Sequence, residues 1–431
     1  MAPLGKVFDL SKCARPNILA LQPYRCARDD YKDDGTNILL DANENAYGPG
    51  LAIANVAEAK GQTSGVQIDL LGLNRYPDPH QEELKQLLCN FRNTKVHTTK
   101  SLSPRNLFVG VGSDEAIDAL LRCFCRPGRD KILTCPPTYG MYAVSAQVND
   151  LQIEKVPLNT ADAFSLRPGV INERLTADPS IKLVYICSPG NPTANLIRKS
   201  DLEQVLNHPT WNGVVVLDEA YIDFAPEGSS LAEWVTEWPN LVVMQTLSKA
   251  FGLAGIRLGA AFTSPEIASL LNSLKAPYNI SSPTSTLACL ALQAENLAVM
   301  KNNKQQILDQ RERMLTQLPR IPGIGKFLGG ADSNFLLVEI LDRAEGGKPC
   351  NEIALALYER LAESRGVVVR FRGKEFGCEG CLRITVGTEK EVDRFLADTG
   401  SVLGDLLKHR HTVNGGAAED KKEQEANGIL A

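Results

Sequence analysis

Several features that direct a protein toward particular partners or compartments are missing from this sequence. No apolar run is long enough to span a bilayer, and the opening residues "MAPLGKVFDLSKCARP" contain no hydrophobic signal core. With 46 Lys and Arg against 51 Asp and Glu, the net charge of −5 offers no basic excess for nucleic acid or an anionic membrane. These absences predict a cytoplasmic protein that binds neither nucleic acid nor membrane.

The sequence also lacks the nucleotide-binding motifs that identify many α/β enzymes. The run "GVGSDE" does not have the G-x-G-x-x-G spacing of a dinucleotide site, and it lacks the terminal lysine of a P-loop. A nicotinamide-dependent dehydrogenase is therefore disfavoured.

The 11 cysteines are odd in number and are expected to be reduced thiols in a cytosolic protein. Cys378 and Cys381 form a single CxxC, for which zinc would need a second pair of ligands. The other close pair, Cys123 and Cys125, falls on a predicted helix. We therefore predict no metal site.

What the sequence does contain is an alternation of strand-like and helical segments. The 431 residues, 43% of them hydrophobic, suit a globular protein of two domains. The clearest helical pattern covers Ser113–Arg126, and near-continuous apolar strands alternating with helices predict an α/β fold with a mostly parallel sheet covered on both faces. The expected strands are Asn106–Gly112, Lys131–Cys135, Ile153–Leu158, Leu183–Ser188, Val214–Leu217, Leu241–Thr246 and Leu258–Thr263.

The pattern changes after about residue 285. Helical patterns at Thr286–Leu318 and Asn351–Arg365 flank short strands at Asn334–Glu339, Gly366–Phe371 and Leu382–Val386, as expected of a smaller α+β domain. We predict an N-terminal arm at 1–60, a large domain at 61–285, a small domain at 286–408 and a tail at 409–431. The polar tail, low in large apolar groups, is expected to be disordered.

Three polar motifs each follow a predicted strand, where open α/β sheets bind their ligands. These are "CSPGNPTAN", "DEAYIDF" and "TLSKAF". Lys249 in the third motif is either a solvated loop charge or a nucleophile, and a lysine becomes nucleophilic when burial or a nearby cation lowers its pKa. One major use of such a lysine is a Schiff base with pyridoxal phosphate (PLP).

Each further requirement of PLP has a candidate residue. Asp218 ends a predicted buried strand and could pair with the pyridine nitrogen, although taken alone it also fits a helix N-cap or a surface turn. Tyr221 and Asn191 could donate hydrogen bonds to the ring oxygen, although Asn191 precedes a proline and also fits an ordinary turn. Tyr139 could stack on the ring or be a core aromatic residue. Lys249 as a Schiff-base residue explains these residues with one ligand.

Candidates for a phosphate site occur in three places. The segment Gly112-Ser113-Asp114 joins a strand to a helix N-terminus, where free backbone N–H groups and the helix dipole favour an anion. Thr246 and Ser248 supply hydroxyl groups beside Lys249, and Arg257 lies across a glycine-rich turn.

These motifs together resemble a known family. "SPGNPT", "DEAY" and "TLSKAFGLAGIRLG" resemble the fold-type I PLP-dependent aminotransferases, and "NENAYGPG", "RYPDP", "CPPTYGMY", "APYNIS" and "CLRITVG" resemble the subgroup that acts on L-histidinol phosphate. The resemblance covers roughly Asn37 to Leu403. It implies a large PLP-binding domain with a mostly parallel seven-stranded sheet, a smaller α+β domain, and a homodimer with shared active sites. It also implies transfer of an amino group between glutamate and a phosphorylated imidazole substrate.

The resemblance implies a role for each matching residue. Lys249 would form the Schiff base and move the substrate's proton, Asp218 would bind the pyridine nitrogen, Tyr221 and Asn191 the ring oxygen, and Tyr139 would stack on the ring. Residues around the cofactor phosphate would be Ser113, Asp114, Thr246, Ser248, Arg257 and, from the neighbouring subunit, Tyr76.

The resemblance also implies that Arg383 and Arg370 bind the acidic group of the substrate. It implies that Tyr47 and Asn45 close the substrate pocket. The alternative for these arginines is a solvated strand edge. Arg372 is left without a role because the sequence does not define whether the strand includes it. Ala194 departs from the family, which often has glycine there, and this puts a tight left-handed turn in question. The alternative functions are an aminotransferase for aromatic or other amino acids, a PLP-dependent decarboxylase of a phosphorylated amino acid, and a PLP-binding protein without turnover.

Overall fold

The computed structural model describes residues 36–41, 43–48, 50–51 and 71–427, with residues 409–427 as backbone alone. Most of the predicted N-terminal arm therefore lies outside the described residues.

The largest of the three sheets in the described residues contains seven strands in the order β2-β8-β7-β6-β5-β3-β4. Strand β8 is antiparallel to both of its neighbours, and the remaining pairs are parallel. The mostly parallel α/β sheet predicted from the sequence is confirmed. Its strands are β2 (Leu107–Val111), β3 (Lys131–Thr134), β4 (Gln152–Lys155), β5 (Ile181–Cys187), β6 (Val214–Asp218), β7 (Leu241–Thr246) and β8 (Leu258–Phe262).

The strand sequences explain why both faces of this sheet are covered. Alternate residues of one strand point to opposite faces, and in β6 Val216 packs into one hydrophobic cluster while Val215 and Leu217 pack into another. Apolar side chains on both faces require a helical layer on each side. The helices of this region are α1 (Glu82–Arg92), α2 (Gly112–Phe124), α3 (Met141–Val148), α4 (Pro168–Ala177), α5 (Lys199–Leu206) and α6 (Pro265–Leu274).

A second, four-stranded antiparallel sheet has the order β12-β13-β10-β9. Its strands are β9 (Ile324–Leu328), β10 (Phe335–Ile340), β12 (Arg370–Phe371) and β13 (Cys381–Thr385), and the helices of this part are α7 (Ser282–Ala291), α8 (Ala294–Gln317), α9 (Asn351–Arg365) and α10 (Glu389–Asn427).

The helical pattern expected at Thr286–Leu318 is present and is divided into two helices, α7 and α8. The hydroxyl of Ser281 accepts a hydrogen bond from the Thr284 N–H and caps the start of α7. Gln293 is extended, with φ −75° and ψ 155°, and this breaks the chain before α8 begins.

The strand expected at Gly366–Phe371 is divided between two sheets. Val367–Val368 forms β11, which pairs in parallel with β1 (Ile38–Leu39) from the N-terminal segment. Arg370–Phe371 forms β12, which pairs antiparallel with β13 and ends before Arg372. The pairing of β1 with β11 attaches the N-terminal segment to the part of the chain that also forms the four-stranded sheet.

The tail also differs from the expectation of disorder after residue 408, since helix α10 continues to Asn427. The composition "AAEDKKEQEA" is polar but is made of strong helix formers, so low hydrophobicity alone did not decide its conformation. Across the described ranges no helix is both long enough and apolar enough to cross a membrane.

Candidate active site

Polar side chains from three neighbouring strands meet at one edge of the large sheet, around a cavity of about 260 Å³. Strands β5, β6 and β7 all end here, and each leads into one of the three polar motifs. The cavity is lined by residues from the predicted cofactor site: Ser113, Asp114, Tyr139, Asn191, Asp218, Tyr221, Thr246, Ser248, Lys249 and Arg257.

Lys249 lies in the turn that follows β7 and faces this cavity. Burial lowers its pKa to about 8, with Arg383 adding in the same direction and Glu44 opposing it. An amine with this pKa is partly neutral near pH 7 and can act as a nucleophile. The environment therefore favours the nucleophilic interpretation over a solvated loop charge.

Asp218 is the last residue of β6 and is only 2% exposed. Burial raises its pKa to about 6, while hydrogen bonds from the Tyr142 hydroxyl (2.6 Å, to Oδ2) and the Ala220 N–H (3.1 Å, to Oδ1) favour the charged form. A buried carboxylate is costly unless a cation pairs with it. Asp218 thus offers a place for a positively charged N–H in the cavity.

The hydroxyl of Tyr221 is oriented by two amide groups. Asn43 Nδ2 donates to it at 2.9 Å, and Asn191 Nδ2 donates at 3.4 Å. Because burial raises the pKa of Tyr221 to about 12, the hydroxyl keeps its proton and can donate it to an acceptor in the cavity. Asn191 Oδ1 in turn accepts from Arg383 Nη1 at 2.8 Å. Arg383 is therefore linked to the Tyr221 hydroxyl through Asn191.

An anion site is built where β2 passes directly into α2. Gly112 has φ +71°, and a Cβ atom there would lie 2.8 Å from Arg257 Nη2. A Cβ atom on Gly259 would lie 2.4 Å from the Ser113 nitrogen, so both glycines allow a close approach. The helix N-terminus and the Arg257 guanidinium, 3.7 Å from the Asp114 carboxylate, suit a phosphate group.

The two predicted substrate arginines are paired across the small sheet. Arg370 on β12 lies directly opposite Arg383 on β13 in the register, so their side chains share one face of the sheet. Arg383 is 4% exposed and reaches Asn191 at the cavity. A surface strand edge does not account for an arginine buried to this extent.

Besides Arg370 and Arg383, three predicted site residues lie outside the lining of the cavity. The side chain of Asn45 donates to the Ala250 carbonyl at 3.0 Å and also accepts from the Tyr47 N–H at 3.0 Å. Tyr47 is half-buried against the core. Tyr76 is 81% exposed, with its ring stacked on Tyr278 at a centroid distance of 4.5 Å.

Sequence reasoning missed several residues that the fold brings to the site. Glu44 and Cys187 line the cavity. Tyr142 donates a hydrogen bond to Asp218, and Asn43 donates one to Tyr221. Tyr142 had a usable signal, because it lies three residues after Tyr139 in "CPPTYGMY". Asn43 had none, because its partner is 178 residues away in sequence.

Ala194, the departure from the family pattern, adopts φ +51° and is fully buried. The left-handed turn that the sequence put in question is therefore present without glycine, and its carbonyl accepts from the Asp332 N–H at 2.9 Å.

Comparison with known proteins agrees with this geometry. The profile of the family described as "Aminotransferase class I and II" matches residues 36–398. A histidinol-phosphate aminotransferase of Schizosaccharomyces pombe is 53% identical over 89% of this chain and 95% of its own length, and that of Saccharomyces cerevisiae is 47% identical over 89% and 95%.

Among solved structures, the histidinol-phosphate aminotransferase of Sinorhizobium meliloti in complex with pyridoxal-5'-phosphate superposes with a TM-score of 0.73 at 23% identity, covering 91% of this chain and 97% of that one. At that identity the likeness shows the fold. The chain belongs to the class I and II aminotransferases and, within that family, to the group of histidinol-phosphate aminotransferases.

Proposed function

We propose that this protein is a PLP-dependent transaminase that interconverts L-histidinol phosphate and 2-oxoglutarate with imidazole acetol phosphate and L-glutamate, a reaction of histidine biosynthesis. The observation that carries the proposal is the meeting of Lys249, whose pKa is lowered to about 8, with the buried carboxylate of Asp218 in one cavity.

The residues present fit PLP at each end of that molecule. Asp218 would pair with the pyridine N–H, and the start of α2 with Arg257, Thr246 and Ser248 would hold the phosphate. Bound PLP supplies an electron sink for the negative charge that develops at the substrate α-carbon.

The side chains would divide the chemistry between them. The Lys249 amine takes the proton from the substrate α-carbon, and the Asp218 carboxylate keeps the proton on the pyridine nitrogen. The Tyr221 hydroxyl, already accepting from Asn43 and Asn191, donates its hydrogen to the ring oxygen.

Substrate orientation is assigned to Arg383 and Arg370. Two guanidinium groups on one sheet face suit the dianionic phosphate of histidinol phosphate and can also bind a carboxylate of glutamate. Fixing the anion helps to hold the α-carbon–hydrogen bond perpendicular to the cofactor ring. Tyr47 and Asn45 are proposed to close this pocket from the N-terminal segment.

A homodimer belongs to the proposal because Tyr76 is exposed on its own subunit. We propose that it reaches the cofactor phosphate of the partner subunit. We also propose a boundary near residue 285 between a large PLP-binding domain and a smaller domain, since the seven-stranded sheet ends before it and the four-stranded sheet begins after it. A cytoplasmic location suits the buried cysteines, which are free thiols throughout the described residues.

The test is an absorbance spectrum of the PLP-loaded protein during addition of L-histidinol phosphate and then of 2-oxoglutarate. The cofactor band should be bleached by the first and restored by the second, and Lys249→Ala should abolish normal turnover. Release of CO₂ would favour a decarboxylase. A band that histidinol phosphate leaves unchanged but an aromatic amino acid bleaches would favour an aromatic aminotransferase.

A further inference from the structure

A second cavity, of about 310 Å³, adjoins the cofactor cavity. The two share Tyr139 and Asn191 in their linings, so they lie side by side with these two residues between them. The second cavity lies between the segment "CPPTYGMY" and the segment that follows β12, and no step of the reaction proposed above uses it. We refer to it as the side cavity.

The lining of the side cavity has an apolar part and a charged part. Pro136, Pro137 and Phe376 supply apolar surface, and Phe376 is 51% exposed. The charged part contains Lys155, Arg372 and Glu375, that is, two cations and one carboxylate. The remaining charge of one positive unit suits a single carboxylate better than a dianionic phosphate.

Arg372 is the residue that distinguishes this cavity. Its Nη1 donates to Glu375 Oε1 at 2.8 Å, and its side chain is 18% exposed. Its Nε is buried and has no hydrogen-bond partner. An unmet buried donor costs free energy, and a guanidinium presents Nε and Nη2 as a planar pair of donors that matches a carboxylate.

We propose that the side cavity is the subsite for the distal carboxylate of the amino donor, bound by Arg372, with the donor's methylene groups against the apolar part of the lining. This deepens the proposed function and rests on its second reactant, a five-carbon dicarboxylate. The imidazole substrate carries no carboxylate and would leave Arg372 unused. Arg372 is then a specificity-determining residue for the donor half of the reaction.

The first measurement is equilibrium binding of glutarate, a dicarboxylate that cannot react, to the PLP-loaded protein. Arg372→Gln should weaken glutarate binding about 10- to 100-fold, the range for a charge-assisted hydrogen-bonded pair. Binding of butyrate, which has a single carboxylate, should change little. Lys374→Gln removes the same charge from an exposed position two residues away and should have no effect on either ligand.

The second measurement follows the two half-reactions separately by absorbance. Arg372→Gln should reduce kcat/KM for glutamate by a similar factor and leave that for L-histidinol phosphate unchanged. Glu375→Gln separates binding from a structural role. If Arg372 binds the donor, freeing it from Glu375 should leave glutamate binding equal or tighter, whereas a purely structural ion pair predicts the same loss in both variants.

Three results would overturn the assignment: equal losses in Arg372→Gln and Glu375→Gln, a loss confined to histidinol phosphate, or unchanged glutarate binding. The second result would place the phosphate or the imidazole in the side cavity. If the unmodified protein binds glutarate and reacts with glutamate but not with histidinol phosphate, histidinol phosphate is not the substrate. The role of Arg372 is then decided separately, by whether Arg372→Gln weakens glutarate binding.

Discussion

The hydroxyl of Tyr142 donates a 2.6 Å hydrogen bond to Oδ2 of Asp218, and both side chains are almost completely buried. The two residues come from different elements, helix α3 and strand β6. Burial alone would favour a neutral Asp218, and this hydrogen bond moves its pKa back toward the charged form. On the role proposed for Asp218, Tyr142 would act on the cofactor through this carboxylate and would be a positioning residue.

Tyr142→Phe should therefore make PLP binding more sensitive to acid. Without the donor, the pKa of Asp218 in the apoprotein should rise above about 6, so that at pH 6 more of the carboxyl must lose a proton when PLP binds. We expect PLP affinity to fall about 5- to 10-fold at pH 6 and little at pH 8, since one pKa unit corresponds to a tenfold change. Titration of the apoprotein with PLP at both pH values measures this.

Tyr185→Phe is the matched control for that experiment. The Tyr185 hydroxyl donates to the Ile117 carbonyl at 3.2 Å, and its ring stacks on Tyr142 at 4.8 Å. This substitution removes the same oxygen from the same aromatic cluster, but the hydroxyl it removes bonds to the Ile117 carbonyl and not to Asp218. A loss that is equal at both pH values, or that Tyr185→Phe reproduces, would contradict the role given to Tyr142.

The apoprotein should be less stable at pH 8 than at pH 5. Burial raises the pKa of Asp218 to about 6 and that of Glu219 to about 7, above their ordinary values of 3.8 and 4.5. Because the folded state holds these protons more tightly than the unfolded state, the contribution is fully present below about pH 4 and is lost as the pH rises through 6 to 7. The shifts correspond to at most about 3 kcal/mol for each group.

Denaturant unfolding of the apoprotein across this pH range measures the slope. Asp218→Asn should flatten part of it, and so should saturating PLP, because a pyridinium partner lowers the pKa of Asp218. Asp405→Asn changes an exposed carboxyl on α10 and should leave the slope as it is. Stability that rises from pH 5 to pH 8 would show that other groups dominate.

The sequence predicted those parts of the site that follow directly from one strand. Asp218 and Lys249 come after apolar runs, and the ends of parallel strands meet at one edge of the sheet, so their meeting could be expected. The contact of Asn43 with Tyr221 could not, because it depends on β1 pairing with β11 in a separate two-stranded sheet. No local pattern indicates that two-residue pairing, which places the N-terminal segment across the site.

The division of "VVVRFRG" illustrates a second limit. Its alternation fits one continuous strand, but Val367–Val368 and Arg370–Phe371 belong to different sheets. The competition between two partners, one from the N-terminal segment and one from β13, decides where the first pairing ends. The pairing of β12 with β13, and not the periodicity of the segment itself, therefore sets the position of Arg372 at the side cavity.

Asn43→Gly should weaken the orientation of the Tyr221 hydroxyl without straining the backbone. Asn43 has φ +55°, which glycine adopts without steric cost, and the change removes the amide that donates to Tyr221 at 2.9 Å. A less well-aimed donor stabilises the cofactor's ring oxygen less, so the pH at which the absorbance of the PLP-loaded protein changes should rise by about 0.5 to 1 unit. An unchanged spectral titration would exclude this role.

Tyr76 provides a test of shared active sites that does not depend on a structure of the dimer. Its exposed ring stacks on Tyr278, and the proposed contact is with the partner subunit. We expect Tyr76→Ala and Lys249→Ala each to impair activity as pure homodimers. In a mixed dimer, one site would combine an intact Lys249 with the partner's intact Tyr76, and the other site would carry both substitutions.

Coexpression or refolding of the two variants together should therefore restore activity. Random assembly gives about half mixed dimers with one good site each, or about a quarter of the activity of the unsubstituted protein. If Tyr76 instead serves its own subunit, each site in the mixed dimer would carry one substitution, and mixing would give no gain. Analytical ultracentrifugation of the same samples verifies that dimers have formed, so absent recovery would count against the sharing of sites and not against assembly.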